Sequence, residues 1–176
     1  MIAFHLIQTI ELPVEKVFSF LSDHNNMPLW NYYIQSISVI SETPSEPGGS
    51  FLIKRRHDLH QYKVVEFIPG NRLTIELQPP GPSQYYGFEL ANQNNKTLLT
   101  YNWGVDLRKY KALKYLPDGI FKNWLLLIAK RHIMKIIKPA TAENFSKLKI
   151  LLETGEVILQ DGRKMIFQQD FTGENQ

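Results

Sequence analysis

The residues most able to do chemistry are few and mostly scattered. The histidines are His5, His24, His57, His60 and His132, and only His57-Asp58-Leu59-His60 forms a cluster. Two imidazoles and a carboxylate can begin a metal site. Here no third imidazole is placed beside them and no helix frames them, so a solvated hairpin competes with that reading. The chain has no cysteine, which removes disulfides, thiolate zinc sites and cysteine nucleophiles. No Gly-x-Ser-x-Gly, His-Glu-x-x-His or phosphate-loop pattern occurs. Enolate chemistry would need a buried acid or base and polar groups to hold the developing charge. Arg55, His57, Tyr85, Tyr101 and Glu66 are the residues available for it. Glu66 lies between two residues expected to face inward, which turns it to water. The tyrosines are expected to donate a hydroxyl to backbone or ligand. No residue is assigned a catalytic role, and no metal or cofactor is assigned.

Such groups matter only where a scaffold brings them together. Ile2 to Glu11 reads as a strand, and Pro13 then opens a helix whose Val14, Val17, Phe18 and Leu21 form one apolar stripe. Asn26-Met27-Pro28-Leu29-Trp30 reads as a second, short helix. After it the period becomes two. Strands are expected over Ile34–Ile40, Phe51–His57, Gln61–Phe67, Arg72–Leu77, Gln84–Leu90 and Thr97–Val105, separated by Pro-, Gly- and Asn-rich turns. A helix follows from Asp118 to about Lys138, where Pro139 is expected to end or kink it. A second helical run places Phe145, Leu148, Leu151 and Leu152 on one face and stops at Gly155. Val157–Leu159 and Met165–Phe167 form a terminal hairpin, and the tail from Asp170 is expected to fray. The order is strand, two helices, six strands, long helix. An apolar sheet face needs a cover, and the long helix is the element available. The expected fold class is therefore α+β: a helix-grip, a curved antiparallel sheet of about seven strands wrapped around a long C-terminal helix.

That architecture leaves a space between sheet and helix. Alternation on the last strand turns Leu99, Tyr101, Trp103 and Val105 inward. The same logic turns Phe51, Ile53, Val65, Phe67, Leu73, Ile75 and Leu77 inward. It also points Arg55 and His57 inward, unless the strand has already reached the sheet rim. An inward Arg55 needs a carboxylate or the anionic head of a ligand as its partner. The expected ligand cavity comprises Trp30, Phe51, Ile53, Arg55, Phe67, Ile75, Tyr101, Trp103, Trp124 and Ile128. Trp30 can be an aromatic that touches ligand or a wedge that anchors the short helices to the sheet.

The segments that carry these residues resemble a known group of proteins. Glu11-Leu-Pro-Val-Glu-Lys-Val-Phe-Ser-Phe-Leu-Ser-Asp23 followed by Asn26-Met-Pro-Leu-Trp30 resembles the opening of the START-like superfamily, which includes polyketide cyclase/dehydratase-like and birch-pollen-allergen-like proteins. Gly48-Gly-Ser-Phe51 is similar to its glycine before the third strand. Tyr62-Lys-Val-Val-Glu-Phe-Ile-Pro-Gly-Asn-Arg-Leu73 is similar to its strand–turn–strand signature. Lys96-Thr-Leu-Leu-Thr100 stands where the group has Gly-Thr, with Lys in place of glycine, and Phe145 to Glu153 resembles its closing helix. The resemblance spans residues 3 to 155 and implies a hydrophobic or amphipathic small-molecule ligand, carried or sequestered. A cyclase- or dehydratase-like enzyme is the alternative. The long basic segment 118–138 and the hairpin after Gly155 depart from the pattern, and the chain divides at that point into a domain (1–155) and a hairpin with its tail (156–176).

Composition sets the remaining bounds. The 176 residues, 43% hydrophobic and 12% aromatic, are enough for one domain with a sizeable core or an enclosed cavity. The formal charge is +3, but Asp106–Lys138 alone carries +7, so the rest carries −4. An apolar helix with interspersed Lys122, Lys130, Arg131, Lys135 and Lys138 can lie on an anionic membrane surface or engage a protein partner. It can equally cover the cavity with its lysines solvated. Nucleic acid is not expected as a partner, since no recognition motif accompanies the charge. Oligomeric state is not legible. The longest apolar run, Trp124–Ala129, is too short to span a bilayer, and residues 1–12 lack a basic signal-peptide start. The expectation is a soluble, cytoplasmic protein.

Overall fold

A computed structural model of the chain describes residues 1–109 and 116–168. Lys111 and Lys114 of the basic segment and the tail from Asp170 lie outside the described residues. Strand β1 (Ile2–Ile10) leads into helix α1 (Val14–Ser22) and the one-turn helix α2 (Met27–Trp30). Six strands follow: β2 (Ile34–Val39), β3 (Ser50–Arg55), β4 (Leu59–Ile68), β5 (Arg72–Leu77), β6 (Ser83–Gln93) and β7 (Lys96–Asp106). Helices α3 (Ile120–His132) and α4 (Lys138–Thr154) and a small hairpin, β8 (Glu156–Ile158) with β9 (Lys164–Ile166), complete the described chain.

The sheet has seven antiparallel strands in the order β1-β7-β6-β5-β4-β3-β2. Strands β2 to β7 form a meander, and β1 returns to pair with β7. That pairing sets Phe4 opposite Trp103, and their rings stack at 5.1 Å. On β7 the residues Leu99, Tyr101, Trp103 and Val105 are all buried, as strict alternation requires. Helix α4 covers this face, with Phe145, Leu148, Leu151 and Leu152 buried and Phe145 packed on Tyr101. Gly155 takes the left-handed conformation (φ 79°) that closes the helix, its N–H donating to the Leu151 carbonyl. The terminal hairpin continues the same core: Val157 and Leu159 are buried, and Phe167 meets Phe20 edge-on.

Two local expectations are corrected. Val65 does not face inward. A register shift between Val64 and Glu66 makes a bulge in β4, so Val64 takes the buried place and Val65 turns to solvent. At Pro139, where an end or a kink is expected, the helix does not end. A π-helical turn, Ile133–Ile137, joins α3 to α4, and the Lys138 N–H donates to the Ile133 carbonyl, five residues back. The ring of a proline clashes with the carbonyl four residues before it. The wider turn just upstream relieves that crowding, and the helical path runs on from Ile120 to Thr154.

The turn before β3 depends on two glycines. Gly48 has φ +96°, and at Gly49 a Cβ would stand inside van der Waals contact of the Thr43 and Pro44 carbonyl oxygens. The glycine side is pinned, since the Gly48 N–H donates to the Val64 carbonyl and the Val64 N–H to the Gly49 carbonyl, and the Thr43 carbonyl already accepts the Glu46 N–H. Gly49→Ala should therefore lower stability by about 2 kcal/mol or more in urea denaturation, well above an ordinary surface substitution.

Candidate functional site

Between the sheet and the C-terminal helix lies a cavity of about 340 Å³. Strands supply Ile53, Tyr62, Ile75, Phe88, Tyr101 and Trp103 to its wall, α2 supplies Met27 and Trp30, and the helical path from Ile136 to Phe145 closes it. Tyr33 and Ile136 line it while staying exposed, so they stand at the opening. The surface is mainly apolar, and the volume falls at the lower end of the range for small-molecule sites.

The polar groups in the sheet wall gather at one end, where β3 ends and β4 and β6 begin. Tyr62 and Tyr86 hold their hydroxyls 3.4 Å apart, and the Gln84 side-chain amide donates to the Tyr86 hydroxyl. Arg55 lines the same end, and its Nε donates to Asp58 Oδ1 at 2.7 Å. Burial works against the guanidinium charge, but the hydrogen-bonded Asp58 carboxylate opposes it and Arg55 stays cationic. Burial first, and Tyr86 second, push the Tyr62 phenol far above its ordinary range. Burial does the same to Tyr101. Both are therefore neutral hydroxyls, able to donate a hydrogen bond and unable to serve as bases near neutral pH.

On the helix side the buried Asn144 ties three segments together. Its Oδ1 accepts from the Tyr32 N–H at 3.3 Å and from the Gln160 side chain at 3.0 Å, and its Nδ2 donates to Asn31 Oδ1 at 3.2 Å. Asn31 in turn accepts from the Tyr33 N–H. This network holds α2, and Trp30 with it, against α4 and the terminal hairpin.

Comparison with protein-family models and with curated protein sequences finds no match. Solved structures do match. The di-domain ARO/CYC StfQ from the steffimycin biosynthetic pathway superposes with a TM-score of 0.65 at 13% identity, over 86% of this chain and 51% of that one. DynU16, a protein in the dynemicin biosynthetic locus, gives 0.60 at 17% identity, over 87% and 48%. The Aha1 dimer from Colwellia psychrerythraea gives 0.59 at 15%, over 88% and 98%. The chain has the START-like helix-grip fold. It spans about half the length of the StfQ and DynU16 chains and nearly all of the Aha1 chain.

Within this START-like fold the expected cavity residues separate into two groups. Trp30, Ile53, Arg55, Ile75, Tyr101 and Trp103 line the hollow. Phe51, Phe67, Trp124 and Ile128 do not. Phe51 is fully buried, but it is stacked between His24 (centroids 4.0 Å apart) and Tyr62, a solid part of the core. Phe67 packs on Phe18, under α1 and away from the opening. Trp124 and Ile128 lie on the outer side of α3, both exposed, because the turn that lines the cavity comes later in the helix, from Ile136 onward. Glu66 faces out, as expected, and pairs with Arg72 and Thr74. His57 is exposed, and His60 sits 3.7 Å from the Asp58 carboxylate. Among the described residues no cluster of three metal-ligating side chains forms.

Tyr62, Tyr86, Gln84 and Asn144 were missed by the sequence reading. For Tyr62 the signal was available: its place opposite Phe51 across the β3–β4 pair turns it inward. Asn144 sits one residue before the apolar face of α4, and only its partners on α2 and the hairpin make it important. The sequence carries no signal that marks His24, yet it is 2% exposed, and among the described residues neither ring nitrogen makes a hydrogen bond of ordinary geometry. Burial lowers its pKa to about 4, against weaker opposing pulls from the Pro44 carbonyl and Asp23.

Proposed function

We propose that the protein binds a small hydrophobic or amphipathic molecule in this cavity. The apolar body would lie against Trp30, Phe88, Tyr101, Trp103 and Ile137, with its polar head at Arg55. The observation that carries the reading is one cationic group, Arg55, among the described residues of a mainly apolar wall, with the neutral Tyr62 hydroxyl beside it. Asp58 occupies the Nε edge of Arg55, and the terminal nitrogens remain for a ligand. A head with acceptor oxygens, a carboxylate above all, complements that edge together with the Tyr62 and Tyr86 hydroxyls. Burial of apolar surface at roughly 25 cal/mol per Å² would supply most of the affinity, and Arg55 would set orientation.

The same Arg55–Tyr62–Tyr86 group supports a second reading. A cationic and hydroxylic cluster in a largely apolar cavity can hold a developing enolate, the requirement of a cyclase-like reaction on a ligand of this kind. Binding is favoured because the displaced groups of the wall, Tyr62 and Tyr101, are donors rather than bases.

Native mass spectrometry of the purified chain, with denaturing extraction, should show a bound small molecule at one per chain. Titration with decanoate, decanol and decyltrimethylammonium then tests the head-group assignment. Decanoate should bind about tenfold more tightly than decanol, and Arg55→Met should abolish that preference while sparing decanol. A clean apo mass together with no binding of any of the three would refute the cavity as a ligand site. Equal binding of decanoate and decanol would refute the role of Arg55.

A further inference from the structure

Helix α3 presents an apolar face to solvent. Ile120, Phe121, Trp124, Leu127 and Ile128 fall at i, i+1, i+4, i+7 and i+8, one continuous arc of the helix. All five are exposed: Ile120 by 92%, Phe121 by 61%, Trp124 by 55%, and Leu127 and Ile128 by nearly half. Phe121 and Trp124 stack on each other at 6.3 Å. The inward side is occupied by Leu125, Leu126 and Ala129, all half-buried, and by Lys122, whose Nζ is held by Asp118 at 2.8 Å and by the Leu116 carbonyl. The usual arrangement of a surface helix, apolar inward and polar outward, is thus inverted along this stretch. Contiguous apolar faces of this kind mark interaction surfaces.

The charge around the face identifies its partner. Lys130, Arg131, His132 and Lys135 follow on the same helical path, all exposed, and no acidic residue occurs between Asp118 and Glu143. In the sequence just before it, Arg108, Lys109, Lys111 and Lys114 add to the same sign. A second copy of the chain docking here would set cation against cation. A surface that offers apolar depth below a layer of negative charge satisfies both features at once. We infer that α3 docks the protein on an anionic lipid bilayer, with Phe121 and Trp124 inserted to the acyl boundary and Lys130, Arg131 and Lys135 at the headgroups. The next turns of the same path carry Ile136 and Ile137 to the cavity and its opening, so docking brings that opening towards the membrane. The inference stands whether or not the cavity holds a ligand.

Sedimentation of the full chain with vesicles tests it. Vesicles of phosphatidylcholine alone are compared with vesicles containing about 30% phosphatidylglycerol. Salt is raised from about 0.01 M to about 1 M, which shortens the screening length from about 30 Å to about 3 Å. Trp30 and Trp103 are buried, so a blue shift of tryptophan emission on binding reports Trp124. The expected result is partition at least about tenfold stronger on the anionic vesicles, lost at high salt, with a blue shift. Phe121→Ser with Trp124→Ser should weaken partition by at least about tenfold. Lys130→Glu with Arg131→Glu should remove the preference for anionic lipid. Trp124→Phe, which keeps an aromatic anchor, should keep binding and lose the blue shift. No partition at low salt would overturn the inference, as would partition unaffected by the Ser and Glu variants. Self-association that the Ser variants abolish, without vesicle binding, would assign the face to a second copy instead.

Discussion

Between pH 7 and pH 4 the protein should lose about 3 kcal/mol of stability through one side chain, His24. The ring is buried against Phe51, beneath the turn that carries Pro44, and burial depresses its pKa from 6.5 to about 4. In the unfolded chain it titrates near 6.5. Between the two values the unfolded state binds the extra proton and the folded state does not, so stability falls as pH drops through that window. Above 6.5 the ring is neutral in both states and no penalty applies. Below 4 both states are protonated and the loss is complete. Urea denaturation of the wild type and of His24→Phe at pH 7 and at pH 4.5 isolates the effect. Phe keeps a planar ring against Phe51 and removes two buried ring nitrogens for which only the weak pull of the Pro44 carbonyl and Asp23 compensates, so the variant should be at least as stable at pH 7. Its loss on acidification should be smaller than the wild type's by about 2 kcal/mol or more. Equal losses in the two proteins would show that His24 is not desolvated in solution.

Asn144→Ala should cost about 2–3 kcal/mol, since one truncation unpairs three groups that a single side chain now satisfies. The Tyr32 N–H loses its acceptor, Gln160 loses its acceptor, and Asn31 Oδ1 loses a donor. Asn31 cannot rotate to repair the loss without giving up the Tyr33 N–H. The consequence extends to the cavity, because Asn31 directly follows Trp30, which lines it. Amide exchange at Tyr32 should accelerate by more than tenfold, and any cavity ligand should dissociate faster. A stability change below about 0.5 kcal/mol with unchanged Tyr32 exchange would remove Asn144 from that role.

Much of the scaffold is legible in the sequence because it is written in local periodicity. The alternation that buries Leu99, Tyr101, Trp103 and Val105 needs no knowledge of the partner strands. The same holds for the face of Phe145, Leu148, Leu151 and Leu152, and for the stop at Gly155. A sheet face this apolar requires a cover, and one long helical run remained to provide it. Of the cavity, Trp30, Ile53, Ile75, Tyr101 and Trp103 follow from that alternation and from the place of the second helix. Alternation alone leaves Arg55 between wall and rim.

The tertiary structure decided what depends on neighbours distant in sequence. The bulge at Val64–Glu66 exchanges which valine is buried, and periodicity read through it assigns Val65 the wrong face. The gathering of Arg55, Tyr62, Tyr86 and Gln84 at one end of the sheet follows from the registers of four strands together. Passage through Pro139 depends on a wider turn four residues upstream, a choice that proline statistics alone oppose. Helix α3 shows the limit most clearly. Its apolar residues are visible in the sequence, but burial is a property of what packs against a face rather than of the face itself. The chain therefore determined an apolar, basic helix, and only the fold placed Phe121 and Trp124 outside the core.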